Sequence, residues 1–377
     1  MVDRLSAVPA AETKQATILG IPNARYILDE ASPTALKQEF LRSHEREIAY
    51  LRSTGHKGPL PPVNLLAVSG GSDNGAFGAG LLVGWSESGR RPAFKAVTGI
   101  STGALIAPFA FLGTKYDQSL TDVFTQIDQK DVFTKRPVVM AALGEDALTD
   151  SKPLFDLITR YMDEEMIAQI SREYDRGRLL LIGTTNLDAG RPVIWNIGAI
   201  AKSGHPQAPN LIRRVLLASA SVPAAFPPVL FEVNLDGNVH QELHADGGVT
   251  AQTFLYPPSI SIRGLPDSGS RTRTAYIIRN GKLAEDWKQI EPKTLPIAGR
   301  AVSQLIAING VNDMYRIYQT TRRDGVGYNL AYIENDFAEP HPEPFDRAYM
   351  NKLYDYGKAK ALSRKAWHKV PPGLAVN

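Results

Sequence analysis

Residues 98–103 read Thr98-Gly99-Ile100-Ser101-Thr102-Gly103, and this stretch decides the fold class of the chain. An apolar, strand-like segment precedes it and a helix-like segment follows it, so Ser101 falls on a tight turn between a strand and a helix. Gly99 and Gly103 place no side chains where such a turn has no room for them. The N–H groups at the start of the following helix favour developing negative charge. The stretch therefore predicts an elbow that presents Ser101 as a candidate nucleophile.

The segments around this elbow alternate between two patterns. Apolar runs predict strands, and periodic or small-residue segments predict helices. The predicted strands are at 63–68, 94–98, 178–184, 193–197 and 274–279, and the main predicted helices at 76–85, 102–112, 296–320 and 349–367. Strands that alternate with helices are typical of an α/β protein with a largely parallel sheet.

Composition divides the chain into three parts. The charged segment and the Gly/Pro-rich connector of residues 1–59 indicate an N-terminal extension and linker. Residues 60–335 carry the alternating strands and helices and are expected to form the catalytic domain. Residues 336–377 are expected to form a helical C-terminal extension packed on that domain.

The overall composition excludes several classes of protein. The chain has 377 residues, a net charge of +3 and no cysteine. The small charge predicts no nucleic-acid partner, and the lack of cysteine excludes disulfides and thiolate metal sites. The longest apolar run, 104–112, is about half of the ~20 residues that span a bilayer. With no signal pattern at its N-terminus, the chain is expected in the cytoplasm by default, or exported after removal of a signal.

A glycine-rich loop at 69–75 lies between a predicted strand and a predicted helix. Backbone with few side chains can aim several N–H groups at one point, as an anion site or an oxyanion hole requires. Gly70 and Gly75 have the spacing of a nucleotide-binding Walker A loop, but Ala76 and Phe77 stand where that loop needs Lys and Ser or Thr. Nucleotide binding is therefore disfavoured.

Two later segments complete the pattern. Ala245-Asp246-Gly247-Gly248 follows a strand-like stretch, and taken alone it favours a plain turn in which the aspartate caps local N–H groups. The segment 218–228, Ala-Ser-Ala-Ser-Val-Pro-Ala-Ala-Phe-Pro-Pro, reads as a helix end broken by prolines. We interpret it as a wall of the site that does no chemistry itself.

In this order, the glycine-rich loop, the Gly-x-Ser-x-Gly turn, the proline segment and Asp-Gly-Gly resemble the patatin-like phospholipases. Residues 184–191 also resemble the strand and turn that precede the proline segment in that family. The resemblance covers roughly residues 63–280 and implies a three-layer α/β/α fold. It further implies hydrolysis of acyl esters, either lipids or simple esters, with no cofactor and no metal. Contact with a membrane surface is compatible with it, and the oligomeric state is left open.

The resemblance also implies roles for particular residues. Ser101 would be the nucleophile and Asp246 its base, in a Ser–Asp dyad without histidine. Gly70, Gly71 and Ser72 would line the oxyanion hole, and their N–H groups would hold the oxyanion. The flanking glycines of the two motifs would support them: Gly99, Gly103, Gly247 and Gly248.

Several alternatives remain open at this point. The family loop reads Gly-Gly-Gly-x-Arg/Lys-Gly, whereas Ser72 and Asn74 occupy two of its positions here. Without that cation a neutral ester is the more plausible substrate, and an inactive lipid-binding homologue is possible. A Ser–His–Asp triad would need a downstream histidine, for which the candidates are His240, His244, His341 and His368. The apolar stretch 138–143 is core or a lid.

Overall fold

The computed structural model describes residues 4–28, 34–135, 149–223, 225–266, 271–283 and 289–374. Within these ranges nine strands form one sheet and two short strands form another. The strands are β1 (Arg25–Ile27), β2 (Val63–Val68), β3 (Ala96–Ile100), β4 (Thr134–Lys135), β5 (Thr149–Asp150), β6 (Leu179–Asn186), β7 (Arg191–Asn196), β8 (Val229–Leu235), β9 (Asn238–Asp246), β10 (Arg273–Arg279) and β11 (Gly327–Tyr332).

The helices alternate with these strands. They are α1 (Thr34–Ser53), α2 (Gly75–Glu87), α3 (Thr102–Leu112), α4 (Asp117–Thr125), α5 (Gln129–Val132), α6 (Lys152–Tyr161), α7 (Glu164–Asp175), α8 (Ile197–Lys202), α9 (Ala208–Ser219), α10 (Thr294–Asp324) and α11 (Arg347–Leu362). No helix in the described ranges is both long enough and apolar enough to cross a membrane.

The order of the main sheet is β1-β7-β6-β3-β2-β10-β11. The five strands from β6 to β11 in this order run parallel, whereas β1 and β7 add an antiparallel edge. The β8–β9 hairpin joins β6 beyond the end of β3. This arrangement brings the carboxyl ends of the parallel strands to one edge, which is where α/β proteins build their sites.

The parallel strands are buried on both faces. Along β2, Leu66 and Val68 face one apolar cluster, and Leu65 and Ala67 face the other. Helices α2, α3, α9 and α11 contribute to the first cluster, and α1 and α10 to the second. Because successive side chains of a strand point to opposite faces, both helical layers are needed to cover the sheet. The predicted α/β/α fold is confirmed.

Helices α11 and α2 pack so closely that their backbones are in contact. A Cβ placed on Gly80 would lie 1.9 Å from the carbonyl oxygen of Tyr354, and one on Gly357 would lie 2.3 Å from that of Phe77. No side chain fits between the two helices at these positions. The position of the C-terminal helix is therefore fixed relative to α2, the helix that follows the glycine-rich loop.

Residues 4–28 and 34–59 contribute to the same α/β unit. Strand β1 pairs with β7 at the sheet edge, and α1 buries Leu36 in the second cluster. The carboxylate of Glu39, which has no solvent exposure, accepts hydrogen bonds from Arg46 and from the Tyr174 hydroxyl at 2.7 and 2.9 Å. Such partners are what allow a charged side chain to be buried.

Candidate active site

Ser101 lies on the turn between β3 and α3 with backbone angles φ 55° and ψ −129°. A non-glycine residue with positive φ costs about 1–3 kcal/mol, and such strain clusters at functional sites. A Cβ on Gly99 would lie 2.4 Å from the Gly103 carbonyl oxygen, and one on Gly103 would lie 2.2 Å from that of Val68. The turn is therefore too tight for any side chain at either glycine. Ser101 itself is only 7% exposed.

The amide of Ser101 is held by a residue of the proline segment. Its N–H donates to Ser219 Oγ at 3.0 Å, and the Ser219 hydroxyl donates in turn to the Gly183 carbonyl at 2.7 Å. Ser219 thus fixes the elbow to the neighbouring strand β6. Sequence reasoning took this segment as a passive wall and missed that role, for which the only signal was a small polar residue at a helix end.

Asp246 ends β9, where it pairs with Thr184. Its Oδ1 accepts a hydrogen bond from the Gly248 amide at 2.6 Å, and its own N–H donates to the Ser221 carbonyl at 2.9 Å. Oδ2 is buried and has no hydrogen-bond partner among the described residues. Oδ1 is therefore held by a hydrogen bond, whereas Oδ2 is available to accept a proton.

The environment of Asp246 changes its acidity. Burial raises its pKa to about 7, against smaller lowering effects of the Ser101 hydroxyl and the Gly248 amide. The hydroxyl thus lies near enough to influence the carboxylate, but the geometry at Oδ2 falls short of an aligned hydrogen bond. Catalytic hydrogen bonds are often loose before substrate binds. Ser101 and Asp246 therefore lie close together, and burial brings the pKa of the Asp246 carboxyl near neutral.

The glycine-rich loop follows β2 and contains a short 3-10 helix, Ser72–Asn74. A Cβ on Gly70 would lie 3.0 Å from that of Ser101, so the loop runs alongside the serine. The Gly70 N–H, however, donates to the Gln252 carbonyl at 3.1 Å. The Gly70 amide is therefore engaged within the fold, and its assignment to the oxyanion hole stays a prediction. The amides of Gly71 and Ser72 have no acceptor in the part of the chain that the structure describes.

Gln252 connects the loop to the Asp-Gly-Gly turn. Besides accepting from Gly70, it donates from Nε2 to the Gly248 carbonyl at 3.2 Å. The backbone N–H groups of Gln252 and Thr253 both donate to Asp313 Oδ2, at 2.7 and 2.9 Å. Sequence reasoning missed Gln252, since no motif contains it. A Cβ on Gly248 would lie 2.1 Å from its Nε2, so the second glycine of Asp-Gly-Gly makes room for it.

An apolar cavity opens beside Ser101. Apart from Ser72, Ser101 and Thr102, its lining is hydrophobic and comes from several helices and from the C-terminal part of the chain: Leu105, Val123, Phe124, Ile127, Val132, Leu154, Leu157, Ala220, Val222, Phe226, Phe345 and Met350. Another cavity, on the opposite face of the sheet beneath α1, contains neither Ser101 nor Asp246. The first cavity therefore offers a largely apolar lining next to the serine.

The four histidines considered for a triad are engaged elsewhere. His244 is fully buried and interacts with Thr184 Oγ1 at 2.9 Å and with Glu242 at 3.1 Å. The partners of the other three are Ser6 for His240, Asp73 for His341 and Glu334 for His368. None of these four side chains is hydrogen-bonded to Ser101 or Asp246. The stretch 138–143 lies outside the described residues.

Comparison with known proteins decides the family. A family model for patatin-like phospholipases matches residues 66–257, which is half of the chain. The chain belongs to the patatin-like phospholipase family. This match confirms the resemblance carried by the motifs.

This patatin-like protein also has structural neighbours at low identity. VipD from Legionella pneumophila is 12% identical, with a TM-score of 0.39, and the match covers 81% of this chain and 67% of VipD. The type III effector protein ExoU is 14% identical, with a TM-score of 0.33, over 82% of this chain and 54% of ExoU. This chain thus spans about half the length of ExoU. No curated protein matches the sequence.

Proposed function

We propose that this protein is a serine acylhydrolase that cleaves carboxylic ester bonds of lipids, with Ser101 as nucleophile and Asp246 as general base. The observation that carries the proposal is the pair itself. A serine on a strained elbow lies beside a buried carboxylate whose Oδ2 has no hydrogen-bond partner among the described residues. A general base works best when its pKa is near the working pH, and burial raises the pKa of Asp246 to about 7.

The first half of the reaction acylates the serine. Ser101 Oγ attacks the ester carbonyl carbon while its proton passes to Asp246 Oδ2, which gives a tetrahedral oxyanion. As that intermediate collapses, the bond to the alcohol oxygen breaks and Asp246 returns the proton to it. The products of this half are the free alcohol and an ester on Ser101.

The second half repeats these steps with water. Asp246 takes one proton from a water molecule as its oxygen attacks the acyl carbon. Collapse of the second tetrahedral intermediate breaks the bond to Ser101 Oγ, which regains the proton, and the fatty acid leaves. Both carboxylate oxygens have defined tasks, because Oδ1 stays bonded to the Gly248 amide while Oδ2 carries the proton.

Stabilisation of the oxyanion is assigned to the loop. The Gly71 and Ser72 amides are the donors we propose, since the Gly70 N–H is bonded to Gln252. One such donor typically contributes about 3 kcal/mol to lowering the barrier. The hydrophobic cavity beside Ser101 would hold the acyl chain.

Asn74, which stands where the family has a cation, motivates the alternative of an inactive lipid-binding homologue. Its side chain accepts a hydrogen bond from the Tyr349 hydroxyl at 2.7 Å, so it is occupied within the fold. A substrate phosphate would find no cation at this position. Neutral esters therefore fit the loop better than phospholipid head groups do.

A fluorophosphonate probe tests the proposal directly. Wild type should be labelled and should hydrolyse p-nitrophenyl esters, whereas Ser101→Ala should do neither. Asp246→Asn should lose hydrolysis, and His368→Ala should retain it. Wild type that stays unlabelled would establish the inactive homologue. Full activity in Asp246→Asn would overturn the dyad. Parallel assays on phospholipid vesicles and on soluble esters of increasing length would define the substrate.

A further inference from the structure

Asp73 and Asn74, two successive residues of the glycine-rich loop, are bonded to the C-terminal part of the chain. Asp73 is 3% exposed, and its Oδ2 accepts hydrogen bonds from His341 Nε2 and from the Phe345 amide, both at 2.7 Å. Burying a carboxylate is costly unless it is paired and hydrogen-bonded. These two bonds therefore tie the loop to residues 341–345.

The next loop residue, Asn74, is bonded to Tyr349. The Tyr349 hydroxyl donates to Asn74 Oδ1 at 2.7 Å, and the rings of His341 and Tyr349 stack with their centroids 4.2 Å apart. Burial raises the pKa of Tyr349 to about 12, with a further contribution from the charge of Asp73, so the hydroxyl keeps its proton. His341 and Tyr349 thus form one unit, and it holds two successive loop residues.

The backbone is strained on both sides of this contact. Ser72 has φ 54° and Phe345 has φ 60°. Positive φ is uncommon for serine and a clear outlier for a bulky residue such as phenylalanine, and it persists only where surrounding contacts enforce it. The hydrogen bonds to Asp73 and Asn74 are such contacts. Ser72 is also one of the two amide donors assigned to the oxyanion.

The same C-terminal segment also forms part of the cavity beside Ser101. Phe345 and Met350 contribute to its lining, and the Phe345 ring packs edge-on against Phe133 with centroids 6.0 Å apart. Tyr349 and Met350 belong to α11, which packs closely against α2 at Gly80.

We infer that His341 and Tyr349 are positioning residues that hold the glycine-rich loop in place beside Ser101. This inference rests on the proposed function, in which the loop supplies the oxyanion hole. Catalysis by preorganised donors depends on their placement, since a distant mutation that misplaces such a group by about 1 Å can cost up to 100-fold in rate. The pair Asn74–Tyr349 also gives a structural use to the residue that replaces the family's cation.

The test measures kcat and KM on a soluble p-nitrophenyl ester for wild type and four variants. In His341→Ala we expect kcat to fall about 10-fold with KM changed less than about 2-fold, because the donors act in the transition state. His341→Gln retains an N–H donor and should recover kcat to within about 3-fold of wild type. Tyr349→Phe, which keeps the stacked ring, should lower kcat about 3-fold.

His368→Ala is the matched control, because His368 belongs to the same C-terminal region but pairs with Glu334. It should leave kcat unchanged. The inference is wrong if His341→Ala keeps kcat within 2-fold of wild type, or if His341→Gln is as impaired as His341→Ala. Should His341→Ala fail to fold, Tyr349→Phe decides, and an unchanged kcat there overturns the inference. Wild type without hydrolysis or probe labelling would instead refute the proposed function.

Discussion

Ser101 and Asp246 lie close together because β3 and β9 pair with the same edge of β6, at consecutive positions along it. Ile100, the last residue of β3, pairs with Gly183, and Asp246, the last residue of β9, pairs with the next residue, Thr184. The two strands approach this point from opposite directions. Their ends therefore place the serine and the carboxylate side by side, although the two residues are far apart in the chain.

Replacing Asp246 by asparagine should separate activity from stability. We expect Asp246→Asn to lower kcat about 10³-fold, the usual contribution of a positioned general base. The folded pKa of about 7 lies above the unfolded value, so ionisation opposes folding. This cost is absent below about pH 4 and complete above about pH 7.

Thermal unfolding measures the predicted pH dependence of stability. Asp246→Asn should melt at a higher temperature than wild type at pH 8, and the difference should shrink towards pH 4. A variant that is less stable than wild type at pH 8 would show that the ionised carboxylate does not destabilise the fold.

The activity should depend on pH through Asp246. The base form must be present, so kcat/KM is expected to rise with pH, with an apparent pKa of about 7, and to level off above it. The measurement is kcat/KM on a neutral ester from pH 5 to 9 at two temperatures. A carboxyl pKa barely changes with temperature, whereas that of an imidazole falls, so a temperature-sensitive pKa would indicate a histidine base instead.

Ser219 should affect the rate as well as stability. Ser219→Ala leaves the Ser101 N–H and the Gly183 carbonyl without their shared partner, and we expect a loss of about 1–3 kcal/mol in the free energy of unfolding. The kcat should fall about 10-fold because the elbow loses an anchor. Ser221→Ala is the control, since that hydroxyl donates only to a carbonyl of its own helix end, Leu217. Equal rate losses in both variants would contradict this role.

The cavity beside Ser101 should set the preferred acyl length. Leu157 lines it, so Leu157→Ala is expected to shift the optimum of a p-nitrophenyl ester series towards longer chains. Leu120 is fully buried in α4 but does not line this cavity. Leu120→Ala should cost a similar 2–5 kcal/mol of stability without the shift. An unchanged optimum in Leu157→Ala would place the acyl chain elsewhere.

Two helical glycines should respond in opposite ways to alanine. Gly80→Ala would put a Cβ 1.9 Å from the Tyr354 carbonyl oxygen, so we expect it to cost about 3 kcal/mol or more by forcing α2 and α11 apart. Gly299 is an exposed residue of α10, and no atom of the described residues lies within 4 Å of its Cβ position. Gly299→Ala should stabilise the protein by about 0.5–1 kcal/mol. Denaturant unfolding of both variants measures the difference.

Local sequence was enough to predict the elbow. The strand Val63–Val68 and the helix Thr102–Leu112 begin and end at the predicted residues, because short apolar runs bounded by glycine-rich or proline-rich turns mark the ends of such elements. The long helix, predicted at 296–320, extends over Thr294–Asp324. Segments that depend on distant partners were harder to predict. The edge strand Arg25–Ile27 is only three residues long and exists through pairing with β7.

The candidate site could be predicted only in part. The motifs predict Ser101 and Asp246 as site residues. The bond between Gly70 and Gln252 and the bond between Ser219 and the elbow depend on contacts between separate segments. The partners of His341 and Tyr349 on the loop likewise come from the other end of the chain. No local pattern encodes such contacts, because each residue type involved is common and unremarkable in its own segment.

The sequence by itself determined the strand–turn–helix elbow, the order of the motifs and hence the family, since these are properties of short stretches. Only the tertiary structure decided the acidity and the hydrogen bonding of the Asp246 carboxylate. An Asp-Gly-Gly segment favours a solvated turn. Burial at the end of β9 instead raises the pKa of Asp246 to about 7 and leaves its Oδ2 without a hydrogen-bond partner in the part of the chain that the structure describes. The physical reason is desolvation, which depends on everything packed around the group and on nothing in the segment itself.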